Sequence, residues 1–229
     1  NSSPRDLVIV NDKLYFTNWN SQDVKIFNLF NYVIETSIDI DGLPEDIIFD
    51  GIHLWVSIPQ LTLYDKNLGN EVVKIDVSSN TIIDSFNVGL GPEQLVVHEG
   101  NIYVSRIMYN EFWVPSHGAA IISENPEVAN YGAGAACGGS IIAHQNSVYK
   151  SFDGGLSKID INLDLDLETK IGDFDPALVY HVEKINGNFW FAVTNWDDIN
   201  QVHVIDINGN LLGIHEVGQG PGDFAYWHK

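Results

Sequence analysis

Five short aromatic strands recur at nearly even spacing, and that recurrence constrains the fold more than any other feature. They are Leu14-Tyr15-Phe16, Leu54-Trp55-Val56, Ile102-Tyr103-Val104, Val148-Tyr149-Lys150 and Phe189-Trp190-Phe191, with aromatics 40 to 48 residues apart. Each follows a short apolar strand and a polar turn: Asn11-Asp12-Lys13, Asp50-Gly51, Glu99-Gly100, Gln145-Asn146 and Asn186-Gly187. Such pairs supply the positive φ that a tight hairpin requires. A third strand comes next, clearest in Val73-Lys74-Ile75-Asp76 and Ser157-Lys158-Ile159-Asp160, then a polar turn and a fourth, as in Thr81 to Val88 and Leu211 to Val217. A Gly-Pro or Asp-Pro corner closes most copies. The stretch from Val88 to Val104 shows the corner, the first strand, the turn and the aromatic strand together.

Apolar residues alternate with period two throughout, and no amphipathic helix interrupts them. Four short strands per repeat of this length predict an all-β chain, a β-propeller of five blades of four antiparallel strands, as a single domain over 1–229. A sandwich of hairpins would not need the period. The third copy is the least regular: its last strands fall near Ala120-Ile121-Ile122 and Val128 to Tyr131, and a Gly and Ala run, Gly132 to Gly139, replaces its corner. A sixth copy of the first strand begins at Pro221 with nothing after it. Five blades have room for five innermost strands, so this copy either sits elsewhere, joins an edge, or belongs to a longer ring.

The phrase Glu71-Val-Val-Lys-Ile-Asp-Val-Ser-Ser-Asn-Thr-Ile-Ile-Asp-Ser-Phe-Asn-Val-Gly-Leu-Gly-Pro92 resembles the repeat of YVTN-type, YncE-like β-propellers of bacterial surfaces and periplasms. The resemblance covers nearly the whole chain. It implies a secreted or cell-envelope location, extracellular or periplasmic. It departs in number, since those relatives usually have six or seven blades.

Charge narrows the partners. Eleven Lys and Arg stand against 31 Asp and Glu, a net charge of −20. Such a surface repels phosphate backbones, which excludes nucleic acid, and it favours cations or neutral ligands over anions. No apolar run approaches the roughly 20 residues of a membrane-spanning helix. The single Cys137 has no partner for an internal disulfide and reads as a small buried apolar side chain.

In a four-stranded meander, the 2–3 loops and the crossings between blades share one face. The loops predicted there are long: Ser57 to Asn70, Arg106 to Gly118 and Thr194 to Asn200. Long loops on a rigid scaffold carry binding residues. The ligand-binding candidates are Asn18, Trp19, Arg106, Tyr109, Trp113, His117, Asn195, Trp196 and Asp197. The same face would carry Tyr64, Phe112, Tyr180 and His181, with the acids Asp23, Glu45, Asp65, Glu93, Glu111, Asp153, Asp198 and Asp223. Thr17-Asn18-Trp19-Asn20 and Thr194-Asn195-Trp196-Asp197 repeat one phrase in the first and last blades, which a ring makes neighbours. Their Trp residues either flank one cleft or cap the blade cores. Aromatics beside amides and carboxylates suit sugar hydroxyls or an amine.

Catalytic motifs are missing. No two His residues stand at zinc-ligand spacing, and His98 and His144 read as turn residues. Asp206-Ile-Asn208-Gly-Asn210 resembles the start of a calcium loop but falls on a 3–4 turn and lacks a Glu at the twelfth position. There is no nucleophile elbow and no phosphate-binding glycine loop. The residues therefore predict a binding or interaction module for a small molecule, a carbohydrate or a protein, without metal or cofactor. Two rivals stand beside it. Glu45, Glu93, Asp175 and Asp223 near the axis would suit a lyase or lactonase with a metal in the central funnel, as on related propellers. The spare terminal strand would suit a structural subunit that assembles by strand addition.

Overall fold

The computed structural model describes residues 2–63, 67–123, 126–135, 139–197 and 199–226. Tyr64, Asp65, Lys66, Cys137 and Asp198 therefore lie outside the described residues. Among the described residues, twenty strands form five four-stranded antiparallel sheets in a ring, a five-bladed all-β propeller. Blade one runs from β1 (Pro4–Val10) to β4 (Val33–Asp39), and blade two from β5 (Ile47–Phe49) to β8 (Thr81–Asn87). Blade three runs from β9 (Pro92–His98) to β12 (Glu127–Gly132), blade four from β13 (Ile141–His144) to β16 (Leu165–Ile171), and blade five from β17 (Val179–Ile185) to β20 (Leu211–Val217). First strands of successive blades lie side by side around the axis. No helix among the described residues is long and apolar enough to cross a membrane.

Local chemistry explains the hairpins. Asn11, Glu99, Gln145 and Asn186 all take positive φ at the 1–2 turns, as their turn positions demand. Gly91 shows why a corner needs glycine: its φ is +69°, and an added Cβ would lie 1.8 Å from the Ile107 carbonyl oxygen. Asp206 Oδ1 accepts the backbone N–H groups of Asn208 and Asn210, so the calcium-like phrase is a turn.

Each blade presents two faces, one to each neighbour. In four blades the residue after the aromatic pairs with a first-strand apolar residue that faces the preceding blade: Ile47 with Val56, Leu95 with Val104, Ile141 with Lys150 and Val182 with Phe191. These four first-strand residues are 2, 5, 5 and 1 % exposed. The aromatics Tyr15, Trp55, Tyr103 and Tyr149 face the following blade and are buried. Four apolar clusters result, one at each junction from blade one to blade five. Among the described residues no such cluster joins blade five to blade one. Leu7, the counterpart of Ile47, is 57 % exposed, and Phe16 beside it is only partly buried.

Two expectations change here. The predicted loop from Arg106 to Gly118 is mostly hairpin: β10 (Asn101–Tyr109) and β11 (Pro115–Ile122) stay paired to Tyr109 and Pro115, because buried Ile107 continues the inward alternation. Likewise β6 (His53–Gln60) and β7 (Leu68–Asp76) absorb most of the Ser57 to Asn70 loop. The second change concerns the sixth copy of the first strand. Its described part, 221–226, pairs with no sheet. It lies against the face of blade five turned away from blade four, where Phe224 meets Trp190 at 6.2 Å and His181 at 5.8 Å between ring centroids. Two side-chain contacts hold the segment's start: Gly220 N–H donates to Asn200 Oδ1, and Gln219 Nε2 donates to the Trp196 carbonyl.

Candidate functional site

The axial funnel is built from one repeat position. Immediately before each apolar first-strand residue stands a polar one: Asp6, Asp46, Gln94, Ser140, His181 and, in the unpaired sixth copy, Asp223. Four of them reach into the next blade and accept the N–H of its apolar residue. Asp6 accepts from Ile47 at 3.0 Å, Asp46 from Leu95, Gln94 from Ile141 at 3.4 Å, and Ser140 from Val182 at 2.9 Å. This side-chain-to-backbone ladder satisfies first-strand donors that face the axis and have no strand beside them there. A second set runs the same way, with Thr17 Oγ1 and Ser57 Oγ donating to the Glu45 and Glu93 carbonyls of the next blade. The first ladder stops at His181. Phe224 N–H is taken by the carboxylate of Asp223 instead.

Asp6, Asp46, Gln94 and His181 line an axial cavity of about 870 Å³, which Arg5 and Tyr180 near the crossings and Trp19, Pro59 and Tyr109 at the 2–3 connections also wall. Its walls hold six carboxylic acids, Asp6, Glu45, Asp46, Glu93, Glu183 and Asp223, against the cations Arg5 and Lys184. Trp19, Tyr109 and Tyr180 supply aromatic surface. Arg5 donates to both Glu45 carboxylate oxygens, and its guanidinium lies 4.4 Å from the centre of the Trp19 ring. The wall thus already holds one cation between a carboxylate and an aromatic face.

Burial sets the protonation of the floor. It pushes the Glu93 carboxyl up to about 8, with the charge of Glu45 adding to the rise. It also raises Glu45, against the opposing pull of Arg5, and lifts Asp46 well above the usual carboxylate range, with Asp6 adding to the shift. Deeper in the wall, Lys150 is fully buried and is pushed down to about 7 by that burial, with Glu93 opposing. Near neutral pH Glu93 is therefore largely protonated and can ionise to meet an incoming cation.

The sequence-predicted residues divide into three groups. Trp19 and Tyr109 line the funnel, and Trp113 stands 6.1 Å from the Tyr109 ring. Trp196 is exposed at the rim, edge-on to Tyr180 at 5.7 Å; Asn195 Oδ1 accepts from Asp197 N–H and Asn200 Nδ2, which makes both Asn195 and Asp197 parts of one turn. Asn18, Arg106 and His117 are buried in the walls. The Arg106 fork is spent on the Leu90 and Ala129 carbonyls and on Asn130 Oδ1, and His117 Nε2 bonds the Ala135 carbonyl. Of the axial acids, Glu45, Glu93 and Asp223 line the cavity, whereas Asp175 caps a turn by accepting Ala177 N–H. Composition alone did not point to Asp6, Asp46, Gln94, Ser140 or Glu183. Alignment of the repeats on the apolar residue after the corner picks out all but Glu183.

No protein-family model matches the chain, and no curated protein matches it. Solved structures do, at low identity. A chain of Kuenenia stuttgartiensis hydrazine synthase is 12 % identical, with a TM-score of 0.64 over 96 % of this chain and 76 % of that one. A chain of the nidogen/laminin complex is 15 % identical, at 0.62 over 93 % and 80 %. BamB from Moraxella catarrhalis is 13 % identical, at 0.55 over 91 % and 59 %. At these identities the likeness shows the fold alone: the chain is a β-propeller whose structural neighbours include both enzyme-related and protein-interaction proteins.

Proposed function

We propose that this propeller is a binding module whose axial funnel takes a cationic group, either an organic amine or a basic side chain of a partner protein. One observation carries the reading: the funnel already holds the Arg5 guanidinium between Glu45 and the face of Trp19, inside a wall with six acids and two cations. A neutral sugar would use the aromatic surface but would leave the buried acids without the charge that stabilises their ionised form. The repeat phrase supports assignment to the YVTN-type propellers, and with it a secreted or cell-envelope location.

The test is calorimetric titration with spermidine, an Arg-rich peptide and a neutral oligosaccharide, on the parent protein and on Trp19→Ala. The cations bind and the oligosaccharide does not. Loss of an anchor aromatic costs about 2 kcal/mol, roughly 30-fold in affinity. Equal binding of the cations by a folded Trp19→Ala protein would move the site away from the funnel.

A further inference from the structure

The ladder's last member points to a site of its own. His181 lines the cavity and is 5 % exposed, yet its buried Nε2 has no hydrogen-bond partner. Glu183 Oε2 lies 3.4 Å away, outside hydrogen-bonding geometry. Asp223 comes from the sixth first-strand copy, at the repeat position that His181 holds in blade five. One ligand atom from each of the three residues falls within 4.8 Å of the others. Among the described residues, no Lys or Arg forms an ion pair with Glu183 or Asp223.

We propose that His181, Glu183 and Asp223 bind a divalent transition-metal ion such as Zn²⁺ in the funnel wall. One imidazole nitrogen and two carboxylate oxygens suit a first-row transition ion better than Ca²⁺ or Mg²⁺, which prefer all-oxygen sets. Nδ1 of His181 lies 3.4 Å from Gln94 Nε2 and 3.5 Å from Ser140 Oγ; metal on Nε2 requires the ring proton on Nδ1, where Ser140 Oγ is the acceptor. The same Oγ already accepts Val182 N–H, which fixes it in the ladder. Phe224 stands against the His181 ring and, as the next residue, fixes the place of Asp223. Three protein ligands leave coordination positions open toward the cavity, the pattern of a site that takes water or a ligand group as well. The inference concerns one wall of the funnel and does not require that an organic cation bind.

The experiment uses the full chain after chelator treatment, titrated with Zn²⁺, Co²⁺ and Ca²⁺ alone. Calorimetry reads stoichiometry, and the visible absorption of bound Co²⁺ reads the ligand field. One equivalent of Zn²⁺ or Co²⁺ is expected, with Ca²⁺ at least tenfold weaker. Asp223→Ala alters an exposed residue, so the protein stays folded, and it weakens Zn²⁺ at least tenfold; Glu183→Gln does the same. Asp206→Ala, at a distant exposed turn, changes nothing. If Zn²⁺ does not bind, or binds equally to the parent, Asp223→Ala and Glu183→Gln, the site does not exist. Spermidine titration of Asp223→Ala is run alongside: retained amine binding with lost Zn²⁺ separates this site from the amine reading.

Discussion

Leu7 and Ile47 occupy one repeat position and one backbone pairing, but only Ile47 has a blade packed over it. Replacing each by Ala measures how far the ring is sealed between blades five and one. Ile47 is 2 % exposed within the cluster shared by blades one and two, and Ile→Ala at such a site costs about 2–5 kcal/mol, transfer and cavity together. Leu7 is 57 % exposed. Full burial of a Leu side chain is worth about 1.5–3 kcal/mol, so less than half of it leaves roughly 1 kcal/mol to lose, with no cavity to add. The assay is urea unfolding of both variants and the parent, followed by near-UV circular dichroism and compared at constant m-value. A Leu7→Ala cost of 2 kcal/mol or more, matching Ile47→Ala, would refute the reasoning: the fifth junction would then be packed like the other four.

Other outcomes follow from the ladder and the buried charges. Asp46→Ala leaves the buried Leu95 N–H unsatisfied and costs about 1–3 kcal/mol by the same unfolding assay, while Asp46→Asn keeps an acceptor and the neutral form that burial already favours, so it costs less. Arg106→Ala strips hydrogen bonds from two carbonyls and Asn130, and it lowers stability by about 2 kcal/mol or more without changing amine or Zn²⁺ affinity in titration. Native Glu93 keeps a proton that the unfolded chain gives up, so its contribution to stability falls as pH rises from the ordinary Glu range toward 8. The gap between the parent and Glu93→Gln, measured by denaturation at several pH values, should therefore grow in the variant's favour across that window; a gap independent of pH would contradict the assignment.

The fold was legible because its signals are local. Alternation placed the strands, and turn pairs such as Glu99-Gly100 and Asn186-Gly187 carry the positive φ they advertise. Loop limits were harder to read. The stretch from Arg106 to Gly118 departs from the repeat and is rich in aromatics, which suggested a loop, but tertiary packing of Ile107 kept the hairpin paired well into it and spent the Arg106 fork inside the sheet. The funnel was hidden for another reason. Its ladder uses one position per copy but fills it with Asp, Gln and Ser, because any polar side chain that reaches the neighbour's N–H can accept from it, and with His181 where the ladder stops. Only the geometry of the acceptor is repeated, and residue identity does not display it. Trp19 and Trp196 show the converse: the same Thr-Asn-Trp phrase puts one ring in the funnel under Arg5 and the other exposed at the rim beside Tyr180.

The most direct test of cation binding in the funnel is proton release. Spermidine is titrated into the protein at pH 7 by calorimetry in two buffers of different ionisation enthalpy. A cation that enters the funnel ionises Glu93, whose carboxyl is held near 8 in its absence, so a proton leaves and the apparent enthalpy differs between buffers. Glu93→Gln shrinks that difference. Spermidine binding with the same enthalpy in both buffers, unchanged in Glu93→Gln, would place the cation elsewhere on this acidic surface and contradict the account.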